Sequence, residues 1–209
     1  LDAQGITMRQ AMAHAGLPID TIPSLKRQPH DYLGFVEIHI EQGPVLNTHN
    51  LPLGVVTSIN ASLRYQGEIT GVASHAGTTP MASRRDAAMA VAEWMLYVEQ
   101  RAAVDGDAVA TVGMLQVPGG STNVVPGRCT FTLDLRAPLD AQRDVLAHDV
   151  LQEIDRICQR RSVQLQLTET MCASAAPSAP AWQARWEAAV AALGVPLHHM
   201  PSGAGHDAM

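Results

Sequence analysis

Two long helical stretches, each set between alternating, β-branched segments, constrain this chain more than any single residue does. RRDAAMAVAEWMLYVEQRAA (residues 84–103) and DAQRDVLAHDVLQEIDRICQRR (residues 140–161) carry apolar residues at helical spacing. Asp86 suits the positive end of the first helix dipole, and Asp140 reads as the N-cap of the second. Before the first helix, LGVVTSINASLRYQGEITGVA alternates over residues 53–73 and reads as a bent strand or a hairpin. Between the helices, AVATVGMLQVPG and GRCTFTLDLRAP read as two strands joined by GGSTNVVP, and SVQLQLTETM follows as a last strand. The order β-α-β-β-α-β over residues 53–171 predicts a ferredoxin-like unit, with two helices on one face of a four-stranded antiparallel sheet.

The flanking segments look like parts of something else. ITMRQAMAHAGL reads as a helix closed by Gly16 and Pro18. YLGFVEIHIEQGP predicts a short strand over residues 35–40, with Val36, Ile38 and Ile40 on one face and Glu37 and His39 on the other. Beyond residue 171, SAAPSAPA is a loop or linker, AWQARWEAAVAALGV a helix ending at Gly194, and PLHHMPSGAGHDAM leads out. These pieces predict a compact unit inserted into a larger α/β domain, with residues 1–52 and 172–209 belonging to that domain. The chain opens on Leu1 and stops in a glycine-rich run, as an internal piece of a longer protein would.

Composition removes several classes of function. Hydrophobic residues are 46% but aromatics only 4%, so the core is built from aliphatic side chains. Net charge is −6, and the 14 Lys and Arg form no basic run, which argues against a nucleic-acid surface. Three cysteines without a CxxC pair suit a reducing compartment, hence the cytoplasm. No apolar run approaches the roughly 18 residues of a membrane span.

Several residues can carry chemistry, each with a plainer alternative. His39 ends a strand beside Glu37 and Glu41 and can bind a metal as neutral imidazole; a strand histidine bonded to a neighbour gives the same pattern. His75 sits in ASHAGTTPM, where Gly77 and Pro80 shape a loop and Thr78 and Thr79 bond locally; a solvent-facing turn histidine is the alternative. Asn123 lies in a strand connection, where an Asx-turn is the ordinary reading. Arg136 ends FTLDLR and reads either as a carboxylate clamp or as an ion-pair partner of Asp134. The glycines of SGAGHDA permit close backbone approach to a ligand, without forming a dinucleotide fingerprint. His198 and His199 read as surface residues.

The order FVEIHIEQGPVL, SHAGTTPM..RRDA, TNVVPG, LDLR, SGAGHDA resembles the motif series of the hydantoinase/carbamoylase amidases, within the aminoacylase-like two-metal peptidase superfamily. The likeness spans residues 32–209 and includes N-carbamoyl-L-amino acid hydrolases and allantoate amidohydrolases. It implies a two-metal α/β hydrolase domain, present here in part, carrying a ferredoxin-like dimerisation domain at residues 53–171. It implies His39 as a metal ligand and Gln42 as a substrate contact. It implies His75 as the histidine that stabilises the oxyanion in the partner subunit's site, with Asn123 and Arg136 holding the substrate carboxylate, also across a homodimer. Gly203 and Gly205 would meet substrate through their backbone. The implied reaction uses two divalent ions (zinc, manganese, cobalt or nickel) to activate water against the carbamoyl carbon of a small ureido acid. The family's His-x-Asp ligand motif and Glu-Glu pair would lie before residue 1, and its last histidine ligand after Met209. His39 alone is too few ligands, so this piece is expected to be inactive and metal-free by itself, with dimerisation as its remaining role.

Overall fold

The computed structural model describes residues 2–209; Leu1 lies outside the described residues. The chain divides into two compact units, one running to Ile38 and including Ala208, the other running from His39 to Asp207 and including Met209. In the first, α1 (Met8–His14) begins with a capping box in which Thr7 Oγ1 accepts the Gln10 amide and Gln10 reaches back to the Thr7 amide. The predicted closure at Gly16 holds, with φ +71° in the left-handed region. A 3₁₀ helix follows at Ile19–Leu25.

The predicted strand over residues 35–40 does not form. This stretch carries no regular secondary structure and pairs with no strand among the described residues, and Phe35, Ile38 and Ile40 are exposed. Alternation predicts which side chains share a face; only a neighbour's N–H and C=O groups make the segment a strand.

In the larger unit the elements are α2 (Val45–Thr48), β1 (Val55–Ile59), β2 (Ala61–Thr70), β3 (Ser74–His75), α3 (Ala87–Val104), β4 (Val109–Thr111), β5 (Leu115–Gln116), β6 (Val124–Val125), β7 (Arg128–Ala137), α4 (Asp140–Arg161), β8 (Gln164–Ala173), β9 (Ala176–Pro177), α5 (Pro180–Ala192) and β10 (His199–Ser202). The main sheet has the order β4-β7-β2-β8, with β5 also on β7, and every pairing is antiparallel. With α3 and α4 as its helices this is the expected β-α-β-β-α-β arrangement. Residues 53–73 do bend: Asn60 breaks the run, and β1 joins a different sheet, parallel to β10 and antiparallel to β9. The expected single strand over residues 108–119 is two short ones. The Thr132 hydroxyl accepts the Met114 amide between them, where Gly113 interrupts the ladder.

The core lies between this sheet and the two helices. Ile69, Phe131, Leu133 and Leu135 face Val91, Trp94, Val98, Leu146, Val150 and Ile154, all buried. Burying each such side chain is worth about 1.5–3 kcal/mol, which makes this layer the main source of stability. Gly67 leaves the room that Phe131 fills; a Cβ there would lie 2.3 Å from the Phe131 ring. The indole of Trp94 stands tilted at 4.9 Å from that ring and donates to the Val150 carbonyl at 2.9 Å, tying α3 to α4.

Asp86 caps α3 as expected, accepting the Met89 amide at 3.0 Å. Asp140 is not the cap of α4. Leu139 holds that position, and the Asp140 carboxylate instead accepts the Ala175 amide at 3.1 Å. The chain returning after β8 claims it, together with buried Arg143. Among the described residues no helix is long and apolar enough to cross a membrane.

Candidate active site

His39 and Gln42 sit in the turn that leads into α2. Glu41 spans this turn, its two carboxylate oxygens accepting the Val45 and Leu46 amides at 2.7 and 2.9 Å. That is a capping role, favoured by the helix N-terminus, and it occupies one of the two carboxylates that flank His39 in sequence. The other, Glu37, belongs to the N-terminal unit, where it accepts the Ala208 amide at 3.1 Å. Gln42 takes φ +55°, a left-handed conformation that a residue with a Cβ rarely adopts. His39 Nδ1 lies 2.7 Å from the Ile40 carbonyl. A carbonyl only accepts, so Nδ1 carries the proton and Nε2 keeps a free lone pair. This is the tautomer a metal-ligating histidine needs, with its second nitrogen oriented by a carbonyl.

The imidazole of His206 stands 4.1 Å from that of His39, centroid to centroid. In SGAGHDA the glycines stand out by sequence, and this histidine does not. Its position between Gly205 and Asp207 was the available signal. Ser202, the last residue of β10, holds it with Oγ 2.5 Å from Nε2. Its Nδ1 is buried and has no hydrogen-bond partner among the described residues. Two imidazoles fit the ligand chemistry of a divalent transition metal. Within residues 39–207 no third His, Cys, Asp or Glu converges on them.

His75 and Asn123, far apart in sequence, are brought together. β3 and β6 form a two-stranded ribbon in which His75 pairs with Val124, and the Asn123 carbonyl accepts the Ala76 amide at 2.9 Å. GGSTNVVP is thus more than a connection, because its last residues supply the partner strand for the histidine loop. His75 Nδ1 accepts the Gly77 amide at 3.1 Å, and the His75 carbonyl accepts the Thr78 and Thr79 amides. Asn123 Oδ1 accepts the Ser121 hydroxyl at 3.1 Å, an ordinary local bond.

Arg136 meets Asp134 on its own strand, Nε and Nη2 donating to the two carboxylate oxygens at 2.9 and 2.8 Å. Arg64, opposite Asp134 on β2, donates to the same carboxylate at 2.8 Å. Burial alone would raise the Asp134 carboxyl; the hydrogen bonds and charge of Arg136 and then Arg64 outweigh it and hold the group below the usual carboxylate range. The third guanidinium arm, Nη1, donates to the Gly203 carbonyl at 2.6 Å. The ion-pair reading of Arg136 is the one this geometry shows, and one arm also reaches the glycine loop. A Cβ on Gly203 would meet nothing within 4 Å, so no protein neighbour requires the glycine. His199 is paired with Glu187 at 2.9 Å, in keeping with a surface role.

The sites therefore form two groups: His39, Gln42 and His206 at the turn before α2, and His75 with Asn123 on the small ribbon. Arg136 and Gly203 join the main sheet to the loop that bears His206. No family model matches the chain. It is 38% identical over 212 residues to the N-carbamoyl-L-amino acid amidohydrolase of Geobacillus stearothermophilus, covering 99% of this chain and 50% of that protein. It is 33% identical to an allantoate deiminase of Arabidopsis thaliana, covering 100% of this chain and 45% of that protein. The crystal structure of a hydantoinase/carbamoylase family amidase from Burkholderia ambifaria superposes with a TM-score of 0.81 at 34% identity, over 99% of this chain and 49% of that one. The chain thus spans about half the length of the relatives it matches. Motif order, fold and whole-chain identity agree: the chain belongs to the hydantoinase/carbamoylase family of amidases.

Proposed function

We propose that the protein is a metal-dependent amidohydrolase that cleaves the carbamoyl C–N bond of N-carbamoyl-L-amino acids and releases ammonia and carbon dioxide. The observation that carries this reading is His39, whose Nδ1–H is committed to the Ile40 carbonyl and whose Nε2 is left free beside His206. His39 would hold a metal ion through Nε2. Such an ion, bound as one of a pair, supplies an activated water at neutral pH. His206, with an unpartnered Nδ1, can hold a proton next to it. Gln42 and the backbone of Gly203 and Gly205 would line the substrate. Arg136 and Asn123 would hold its carboxylate, with Arg136 exchanging its Nη1 bond to the Gly203 carbonyl for one to substrate while Asp134 keeps the other face of the guanidinium.

His75 would stabilise the oxyanion with Nε2–H, the nitrogen left as donor because Nδ1 accepts the Gly77 amide. In this reading His75, Asn123 and Arg136 serve the partner's site in a homodimer, through the domain at residues 53–171. A second substrate, allantoate, is favoured by the 33% identity to an allantoate deiminase. For the 209-residue chain alone, a non-catalytic dimerisation module is the alternative reading.

The test is ammonia release by the product of the complete gene, with added divalent metal and then with chelator. Chelator-sensitive ammonia from N-carbamoyl-L-amino acids is the expected result. Ammonia from allantoate alone selects the second substrate. Cleavage of acyl-amino acids or dipeptides with no ureido activity refutes the proposal.

A further inference from the structure

We infer that Arg84 is a positioning residue for His75: its guanidinium braces the loop whose Gly77 amide decides which imidazole nitrogen carries the proton. Arg84 Nη2 donates to the Ala76 carbonyl at 2.6 Å and Nε to the Thr79 carbonyl at 3.2 Å. These two carbonyls bracket Gly77 and Thr78. The turn between them closes back on His75, whose carbonyl takes the Thr78 and Thr79 amides while its Nδ1 takes the Gly77 amide. The fork thus grips both ends of the segment that presents one amide to one ring nitrogen. A neutral imidazole that accepts at Nδ1 carries its proton on Nε2.

The base of the fork is rigid. The Arg85 carbonyl accepts the Val72 amide at 2.9 Å, and Asp86 begins α3 by capping it. Arg84 therefore stands on a segment held by Val72, just beyond β2, on one side and by a helix start on the other, and its side chain works as a strut to the histidine loop. A lysine could not replace it, because one ammonium on a flexible stem does not match two carbonyls at fixed separation. The consequence for catalysis rests on the function proposed above; the geometry does not, and it can be tested without substrate.

The experiment is nitrogen-15 NMR on the labelled 209-residue chain above about pH 8, where an ordinary imidazole is neutral. Two-bond nitrogen–proton correlations read the His75 tautomer, and hydrogen exchange reads the Gly77 amide. The native chain should show the Nε2–H form with Nδ1 shifted as an acceptor. Arg84→Ala should lose about tenfold of the Gly77 protection, the equivalent of one charge-assisted bond, and populate both tautomers while α3 and α4 amides stay protected. Arg84→Lys should fall between the two. Arg85→Ala, which removes the same charge from the next residue, should match the native chain. Native-like Gly77 protection and tautomer in Arg84→Ala, or equal losses in Arg85→Ala, overturns the inference. If Arg84→Ala does not fold, Arg84→Lys decides, and a native signal from it is then the refuting result.

Discussion

At the scale of single residues, Asp134 shows how one group settles two roles. Its carboxylate takes Arg136 and Arg64 together, so it holds the guanidinium that also reaches Gly203. Its folded pKa is depressed, despite the opposing effect of burial, by those two arginines. A depressed carboxylate contributes stability that is complete above the unfolded value, about pH 3.9, and disappears as pH falls through the folded one. Asp134→Asn should therefore be less stable at pH 7, by on the order of 1 kcal/mol given the solvent exposure of the arginines. The deficit should shrink as pH falls below about 4. Urea denaturation at both ends of that range checks this, and a pH-independent deficit contradicts it. From sequence, Arg136 and Asp134 already read as neighbours on one face of a strand. The part played by Arg64 was not legible, because it depends on the register between β2 and β7.

At the scale of elements, the junction beneath the histidine loop is held by backbone. The Gly71 amide donates to the Gly127 carbonyl, Val72 to Arg85, and Ala87 to Pro126, so the end of β2, the start of α3 and the β6–β7 turn meet at one point. A Cβ on Gly71 would stand 1.9 Å from the Arg85 carbonyl oxygen, and backbone there cannot swing aside. Gly71→Ala should cost about 2–3 kcal/mol and lower Tm by roughly 5–10 °C. Gly113→Ala makes a useful comparison, since its Cβ would touch only Thr132 Oγ1 at 3.9 Å and should change little. Equal Tm values for the two variants in a thermal melt would remove the close approach as an explanation. Helical periodicity and long alternation disclosed α3, α4, β2, β7 and β8. The two-residue strands β3, β5, β6 and β9 carry no such pattern, because each exists only through the partner it meets.

At the scale of the whole molecule, the three cysteines sample different depths. Cys129 and Cys158 are buried in the layer between sheet and helices, and Cys172 is exposed on β8. Burial, with Asp155 adding to it, pushes the Cys158 thiol up to about 11. Burial and then Asp86 raise Cys129. Since the thiolate is the reacting species, a thiol reagent at pH 8 should modify Cys172 quickly and the other two only at the rate of global unfolding. Cys172→Ser should abolish the fast phase, and urea should release the remaining two thiols together. Rapid modification of Cys129 or Cys158 in the folded chain would show that the core opens locally.

What the amino-acid sequence determined alone is whatever repeats at short range or recurs in a fixed order. The periods of two and of helical spacing encode which faces are buried, so the β-α-β-β-α-β unit is readable from the sequence. The ordered motifs carried the family. What the tertiary structure decided are contacts between distant segments. His206 stands beside His39, and Arg136 reaches Gly203 across 67 positions. Residues 35–40, which alternate like a strand, pair with none among the described residues. The physical reason is common to all three. A side chain's face is set by its own backbone, but its partner is set by where the rest of the chain packs, and no local period records that.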